Sequence, residues 1–252
     1  QEQIEYWNER AGETWAELQD RLDALLAPLS AAGLAAANVR PSERVLDVGC
    51  GCGDTSIALS AMGANVLGVD VSGPMLARAR SRDASIEYQQ ADAATTDFAH
   101  AFDLVFSRFG VMFFDDPTAA FKNLYNALKP GGRLLFVCWQ PPAVNPWMAT
   151  AGRAIAPYLP PSDEAPNPRA PGPFAFADAR YVEQILQDAG FSEIQINAHE
   201  ESLKVADTLA EAVQFQTRVG PAAPDATPAP SPPPALPPSP SPSPPPPPRP
   251  AP

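Results

Sequence analysis

The chain is poor in cysteine and histidine, with three of the first and two of the second among 252 residues. Three thiols make no disulfide framework, and Cys50-Gly51-Cys52 is too closely spaced for a simple bridge. They also fall short of the four ligands of a structural zinc, so no metal site is expected. So low a thiol content suits a reducing compartment and a cytoplasmic protein. Basic residues are scarce as well: 17 Lys and Arg stand against 29 Asp and Glu, for a net charge of −12. A surface of that sign repels phosphate backbones, which argues against DNA or RNA as a partner. Arg78, Arg80 and Arg82 are the nearest approach to a basic cluster, and on a helix they read as surface charge. Long apolar runs are missing too. No stretch approaches the ~18 residues of a membrane span, and the start lacks a basic-then-apolar leader pattern.

Proline, by contrast, is abundant, and its 33 copies are unevenly placed. From Pro221 onward the chain is almost wholly Pro, Ala and Ser, so residues 221–252 read as a polyproline II or disordered tail. The residues before it have ordinary globular composition, enough for one domain. Residues 1–40 look helical, with Leu18, Leu22, Leu25 and Leu29 on one face and Pro28 placed to bend or end the helix. A core over 41–139 then alternates strands and helices. Strands are expected at 44–48, 65–69, 86–89, 102–107 and 133–139, the last after a Lys129–Gly132 turn. Helices are expected at 54–62, at 73–82 capped by Ser72, and from Asp116-Pro117 to about 128. Residues 140–177 show no clean period and read either as an insertion that covers substrate or as a loose loop. Residues 178–220 read as helix, strand and helix, with a sixth strand at Glu193–Ala198 and a last helix at about 206–219. Strands joined by helices imply a doubly wound, mostly parallel α/β sheet in a single domain.

The sharpest local signal is Asp47-Val48-Gly49-Cys50-Gly51-Cys52-Gly53-Asp54, a glycine-rich turn between a strand and a helix. Gly49, Gly51 and Gly53 allow a tight turn and close approach of a ligand to backbone. A dinucleotide-binding dehydrogenase is the lesser reading, because the third glycine of that fingerprint would fall at Asp54 or Ser56. An acidic residue there sits badly beside a pyrophosphate but is favourable beside a sulfonium.

Over residues 40–140 the chain resembles the class I S-adenosylmethionine-dependent methyltransferases, in the small-molecule branch that includes ubiquinone/menaquinone-type enzymes. The resemblance implies that Asp47, Gly49, Gly51 and Gly53 wrap the amino-acid end of S-adenosylmethionine, whose product is S-adenosylhomocysteine. It implies that Asp70, in Gly68-Val69-Asp70-Val71-Ser72, binds the ribose hydroxyls, and that Val71 and Met75 flank adenine. Asp92 would bond the adenine amino group beside Ala93, and Ser107 would end the fourth strand under the cofactor. Leu128-Lys129-Pro130-Gly131-Gly132-Arg133 also matches the family's turn before the fifth strand. Cys50 and Cys52 fill variable loop positions and read as small packing residues.

Methyl transfer from a sulfonium asks mainly for alignment and exclusion of water, so the family's motifs name no universal catalytic residue. Arg108 and His199 are the candidates in this chain. Arg108 is placed either to hold an acceptor carboxylate or to pair with Asp115 or Asp116. A small-molecule acceptor is expected over the carboxyl ends of the strands. Its pocket would draw on Phe109, Met112, Trp139 and Trp147, with Tyr6, Trp7 and Trp15 folding over from the N-terminal helices.

The chain departs from the family at its end, where a seventh, antiparallel strand usually lies between the fifth and sixth. Proline cannot supply the ladder N–H groups of such a strand. The tail is then either a natural extension that engages a polyproline-binding partner or self-associates, or the product of a frameshift. A non-catalytic cofactor-binding or regulatory protein, working through that tail, is the alternative to an enzyme. Truncation at Gly220 is expected to leave the melting temperature unchanged, as a thermal scan of the shortened chain will show; a large drop would place the tail within the fold.

Overall fold

The computed structural model describes residues 2–158 and 167–219, so the proline-rich tail lies outside the described residues. Five strands form one parallel sheet: β1 (Arg44–Val48), β2 (Asn65–Asp70), β3 (Glu87–Gln90), β4 (Phe102–Arg108) and β5 (Leu128–Val137). Their order is β3-β2-β1-β4-β5. The chain moves outward from β1 to β3 and returns to β1's other side as β4. This places a topological switch point between β1 and β4.

The helices are α1 (Glu2–Asn8), α2 (Arg10–Glu17), α3 (Gln19–Ala37), α4 (Asp54–Ala61), α5 (Gly73–Arg82), α6 (Pro117–Ala127), α7 (Pro146–Ile155), α8 (Ala179–Ala189) and α9 (Leu209–Gln216). Both faces of the sheet are covered, which is why its central strands are continuously apolar. Leu46, Val48 and Val105 join a large core with Phe121 and Leu124 of α6 and Ile185 and Leu186 of α8. Val45, Leu104 and Phe106 point the other way, toward Ala37 of α3 and Leu59 of α4. The helix ends follow local chemistry. Ser72 Oγ accepts from Met75 N at 3.4 Å, Asp116 Oδ1 accepts from Ala119 N at 3.0 Å, and Gly190 ends α8 in the left-handed region at φ +104.

Several sequence expectations need correction. Pro28 does not end its helix, because α3 runs through it from Gln19 to Ala37 with Leu25, Leu26 and Leu29 buried around it. That packing outweighs the one N–H that proline removes. The Lys129–Gly132 turn is not separate from the strand. It bulges out of β5 between Leu128, paired with Phe102, and Arg133, paired with Leu104. The supposedly aperiodic insertion contains α7. The sixth strand, expected at Glu193–Ala198, is not formed. Ile194 packs on the main core while Ile196 is 46% exposed, and residues 192–207 make no backbone ladder with any described residue. A strand there needs a neighbour, and none of the described residues supplies one. Arg78 is surface charge as read, but Arg80 and Arg82 also bond the backbone of neighbouring elements. Arg80 donates to Tyr88 O at 2.8 Å, Arg82 donates to Cys52 O at 2.9 Å, and Arg78 lies 3.6 Å from Asp20.

Asp47 sits fully buried on β1, accepting from Thr55 Oγ1 at 2.7 Å and Ser56 Oγ at 2.6 Å. Burial raises its carboxyl from the ordinary 3.8 to about 6, against the pull of those two hydroxyls and of Arg108. Because the folded value lies above the unfolded one, this contribution to stability is full below about pH 4 and is lost as the pH rises through about 6. The displacement corresponds to about 3 kcal/mol. Asp47→Asn keeps an acceptor for both hydroxyls and removes the titration. Its stability advantage over the native chain should therefore grow by up to ~3 kcal/mol between pH 4 and pH 7 in urea denaturation. A difference that stays flat with pH would contradict the burial argument.

Candidate active site

The loop after β1 turns three times through the left-handed region, at Gly49 (φ +69), Gly51 (φ +54) and Gly53 (φ +85). Gly49 also lies against the backbone of Gly110, beyond the end of β4. A Cβ on Gly49 would stand 2.7 Å from Gly110 Cα, and one on Gly110 would stand 2.7 Å from Val48 O. Only two glycines allow β1 and β4 to bring their following loops this close. Ser107, buried at the end of β4, fastens the same junction by donating to Val48 O at 2.7 Å. Gly110 was not legible as part of the site, although a glycine directly after a buried strand was the available signal.

Asp70, at the end of β2, accepts from Gly51 N at 2.8 Å and from Ser72 N at 2.9 Å. It therefore fixes both the glycine loop and the entry to α5. Burial raises its carboxyl, and the backbone N–H bonds of Ser72 and Gly51 oppose that. Met75 reaches the same loop, since a Cβ on Gly51 would lie 2.8 Å from Met75 Cε. Val71, the residue after Asp70, offers its carbonyl to the N-terminal segment. Asp92 turns its carboxylate onto its own loop, accepting from Ala94 N at 2.9 Å, and the adjacent Ala93 is buried. Burial pushes the Cys50 thiol well up and the Cys52 thiol up to about 12, so both remain protonated packing groups.

The N-terminal helices are tied to the β2 side of this site by Asn8, which no sequence pattern singled out. Its Oδ1 accepts from Gly73 N at 3.0 Å and Gln90 Nε2 at 3.2 Å. Its Nδ2 donates to Val71 O and to Ile4 O, each at 2.8 Å. All four hydrogen-bonding positions of the amide are thus filled. Gly12 completes the seat, because a Cβ there would lie 2.6 Å from Ser72 Oγ. Above it, Trp7 meets Tyr6, Trp15 and Phe113 edge to face at centroid distances of 5.3, 5.6 and 5.4 Å.

Arg108 is committed to the protein. Its Nη1 meets Asp54 Oδ2 at 2.8 Å and also bonds Ser30 Oγ, so it holds no acceptor carboxylate in this arrangement. Asp116, one of its expected partners, caps α6 instead. Arg82 extends the network, lying 2.9 Å from Asp23 Oδ2 and 3.9 Å from Asp54 Oδ1. Burial raises the Asp23 carboxyl, with a hydrogen bond from Gln19 opposing it. Asp54, which speaks against a pyrophosphate, is therefore the centre of a half-buried charge cluster joining α3, α4, α5 and β4. His199 lies on no strand, and its Nε2 faces Glu201 Oε1 at 3.1 Å.

On the β5 side, Phe109 (φ +63) stacks flat on Trp139 at 4.2 Å and 4°, and Trp139 meets Trp147 at 5.5 Å. A left-handed phenylalanine is strained, and its ring contact together with the adjoining Gly110 contact holds it there. Met112, in the short 3-10 turn Val111–Phe113, is 1% exposed and belongs to the main core.

The methyltransferase domain family matches residues 46–136, which run from β1 through β5. An uncharacterised protein of Mycobacterium tuberculosis is 37% identical over 122 residues, 46% of this chain and 44% of its own length. Malonyl-[acyl-carrier protein] O-methyltransferase of Enterobacter lignolyticus is 40% identical over 141 residues, 55% of this chain and 53% of the relative. Phosphoethanolamine N-methyltransferase 1 of Triticum aestivum is 29% identical over 190 residues, 72% of this chain and 32% of the relative. The chain thus spans about half or less of these curated relatives. Among solved structures, Haemonchus contortus phosphoethanolamine N-methyltransferase 2 in complex with S-adenosyl-L-methionine aligns with a TM-score of 0.49 at 27% identity, over 67% of this chain and 37% of that one. Over residues 46–136, which hold the parallel sheet and the three-glycine turn at its switch point, this chain matches the methyltransferase domain family.

Proposed function

We propose that this chain transfers a methyl group from S-adenosylmethionine to a small-molecule acceptor by in-line displacement. The observation that carries this reading is the left-handed glycine turn meeting the acidic end of β2, within the residues that match the methyltransferase domain. The residues suit a sulfonium donor. Asp47 Oδ1 is a buried acceptor with no partner among the described residues, one turn from the glycine loop. Arg82 and Arg108, the cations beside that loop, are held by Asp23 and Asp54.

In this reading the Asp47–Gly53 turn holds the amino-acid end, and Asp70 holds the ribose. Val71, Met75, Asp92 and Ala93 enclose the adenine, and Ser107 supports the cofactor from below. When bound, the cofactor supplies an activated methyl group and a neutral thioether as leaving group. The chain's own part is to hold the acceptor in line and keep water out. Phe109, Trp139 and Trp147 form an aromatic wall on the β5 side, and Trp7 and Trp15 close the N-terminal side. The relatives' names pair the same domain with nitrogen and with oxygen acceptors, so the methylated atom does not follow from membership.

Calorimetric titration with S-adenosylhomocysteine, beside NADH, tests the reading. Micromolar binding of the first and none of the second is expected, with Asp70→Asn weakening binding at least ~10-fold as a charge-assisted contact is lost. A folded protein that ignores S-adenosylhomocysteine would overturn it. Asn8 generates a second expectation. Since its amide ties α1 and α2 to Val71 and Gly73, Asn8→Ala should speed S-adenosylhomocysteine release several-fold, read as recovery of tryptophan fluorescence after dilution. An unchanged release rate would mean that these helices do not gate the cofactor.

A further inference from the structure

Two buried polar atoms on the β5 side remain unmatched. Trp147 Nε1 and Gln216 Oε1 have no hydrogen-bond partner among the described residues. They belong to one contact between α7 and α9, because Gln216 Nε2 donates to the Trp147 carbonyl at 2.7 Å. That bond also fixes the amide's orientation, since the flipped form would set two oxygens against each other. The contact borders an apolar cluster of Leu22, Leu25, Phe215 and Val219, with Trp15 packed against it. Through Trp139 and Phe109 it is continuous with Gly110 and the glycine loop. A buried donor and a buried acceptor left unmade are costly, and native proteins keep them where something else completes them.

We propose that Trp147 Nε1 and Gln216 Oε1 are the specificity-determining pair of the acceptor subsite, and that they select an uncharged, largely apolar molecule bearing a hydroxyl. The inference rests on the methyltransferase reading. One donor and one acceptor together match a hydroxyl, which accepts from the indole N–H and donates to the amide oxygen. A carboxylate or phosphate only accepts, and would face the amide oxygen. An ammonium only donates, and would face the indole N–H. The cations nearest this cluster are engaged: Arg21 lies over the Phe215 ring and donates to Val205 O and Glu211 O, and Arg218 pairs with Glu17. An anionic acceptor such as the phosphoethanolamine named for some relatives therefore fits this end poorly.

The test is a titration of the full chain, labelled with nitrogen-15 and saturated with S-adenosylhomocysteine. Four tryptophans give four indole N–H resonances, and Trp147→Phe identifies its own by loss. Phenol, benzoate and benzylammonium then present the same ring with a hydroxyl, an anion and a cation. Phenol should shift the Trp147 indole saturably, at an affinity at least ~10-fold above the other two, roughly the difference a hydrogen bond makes. Gln216→Leu should remove that preference while leaving S-adenosylhomocysteine affinity unchanged. Equal response to the three probes, a preference for either ion, or an indole untouched by phenol would overturn the proposal. The comparison of probes on the native chain stands even if a variant misfolds. Failure to bind S-adenosylhomocysteine would instead strike at the methyltransferase reading, and the phenol titration without cofactor keeps the two failures apart.

Discussion

The close approach of the β1 and β4 ends is the constraint on which the rest of the site depends. Gly49 and Gly110 touch through backbone, and Ser107 binds the Val48 carbonyl. With that seam closed, the glycine turn can only project above the sheet, where the Asp70 carboxylate receives the Gly51 N–H. Phe109 is then held in its strained conformation, and its ring sets the plane on which Trp139 lies. Both halves of the site, the acidic β2 side and the aromatic β5 side, are referred to one junction between two parallel strands. A side chain at either glycine would wedge the strands' loops apart and disturb both halves together.

Much of this was legible because it follows from periodicity and from local chemistry. The strands at 44–48 and 102–107, the Ser72 and Asp116 caps and the Gly190 stop each rest on a signal within a few residues, and the structure places them as read. The glycine turn was legible for the same reason. What stayed hidden was set by tertiary contact. Asn8 carries no pattern, yet it bonds residues more than sixty positions away. Arg108 was read as meeting an acceptor carboxylate or else Asp115 or Asp116, because its partners, Asp54 and Ser30, lie on other elements. The segment at Glu193–Ala198 shows the converse failure. Its alternation is that of a strand, but a strand exists only through its neighbour, and no described residue pairs with it.

The two sides of the site also differ in their chemistry. The β2 side is polar and closely hydrogen-bonded, with Asp70, Ser72, Asn8 and Gln90 in one connected network. The β5 side is apolar, and its rings leave few polar atoms in reach. Between them the Asp54 cluster brings charge of both signs to the end of β4 while keeping each cation paired. The acidic balance of the chain therefore does not translate into an open field across the site. Locally, the Asp23 and Asp54 carboxylates are matched by guanidinium groups, Asp70 by backbone N–H groups and one oxygen of Asp47 by two hydroxyls.

The parallel arrangement has a consequence for how the chain acquires its structure. Val45 of β1 pairs with Leu104 of β4, and Phe106 of β4 in turn pairs with Leu135. The centre of the sheet cannot close until more than half the chain has left the ribosome. The cover waits longer still, since Arg21 of α3 donates to Val205 O, 184 positions on. Contacts so distant in sequence make folding slow and leave β1 with an open edge in the meantime. During that interval α3 and α4, already synthesised, are at hand to shield one face of the first strand, where Ala37 and Leu59 meet Val45.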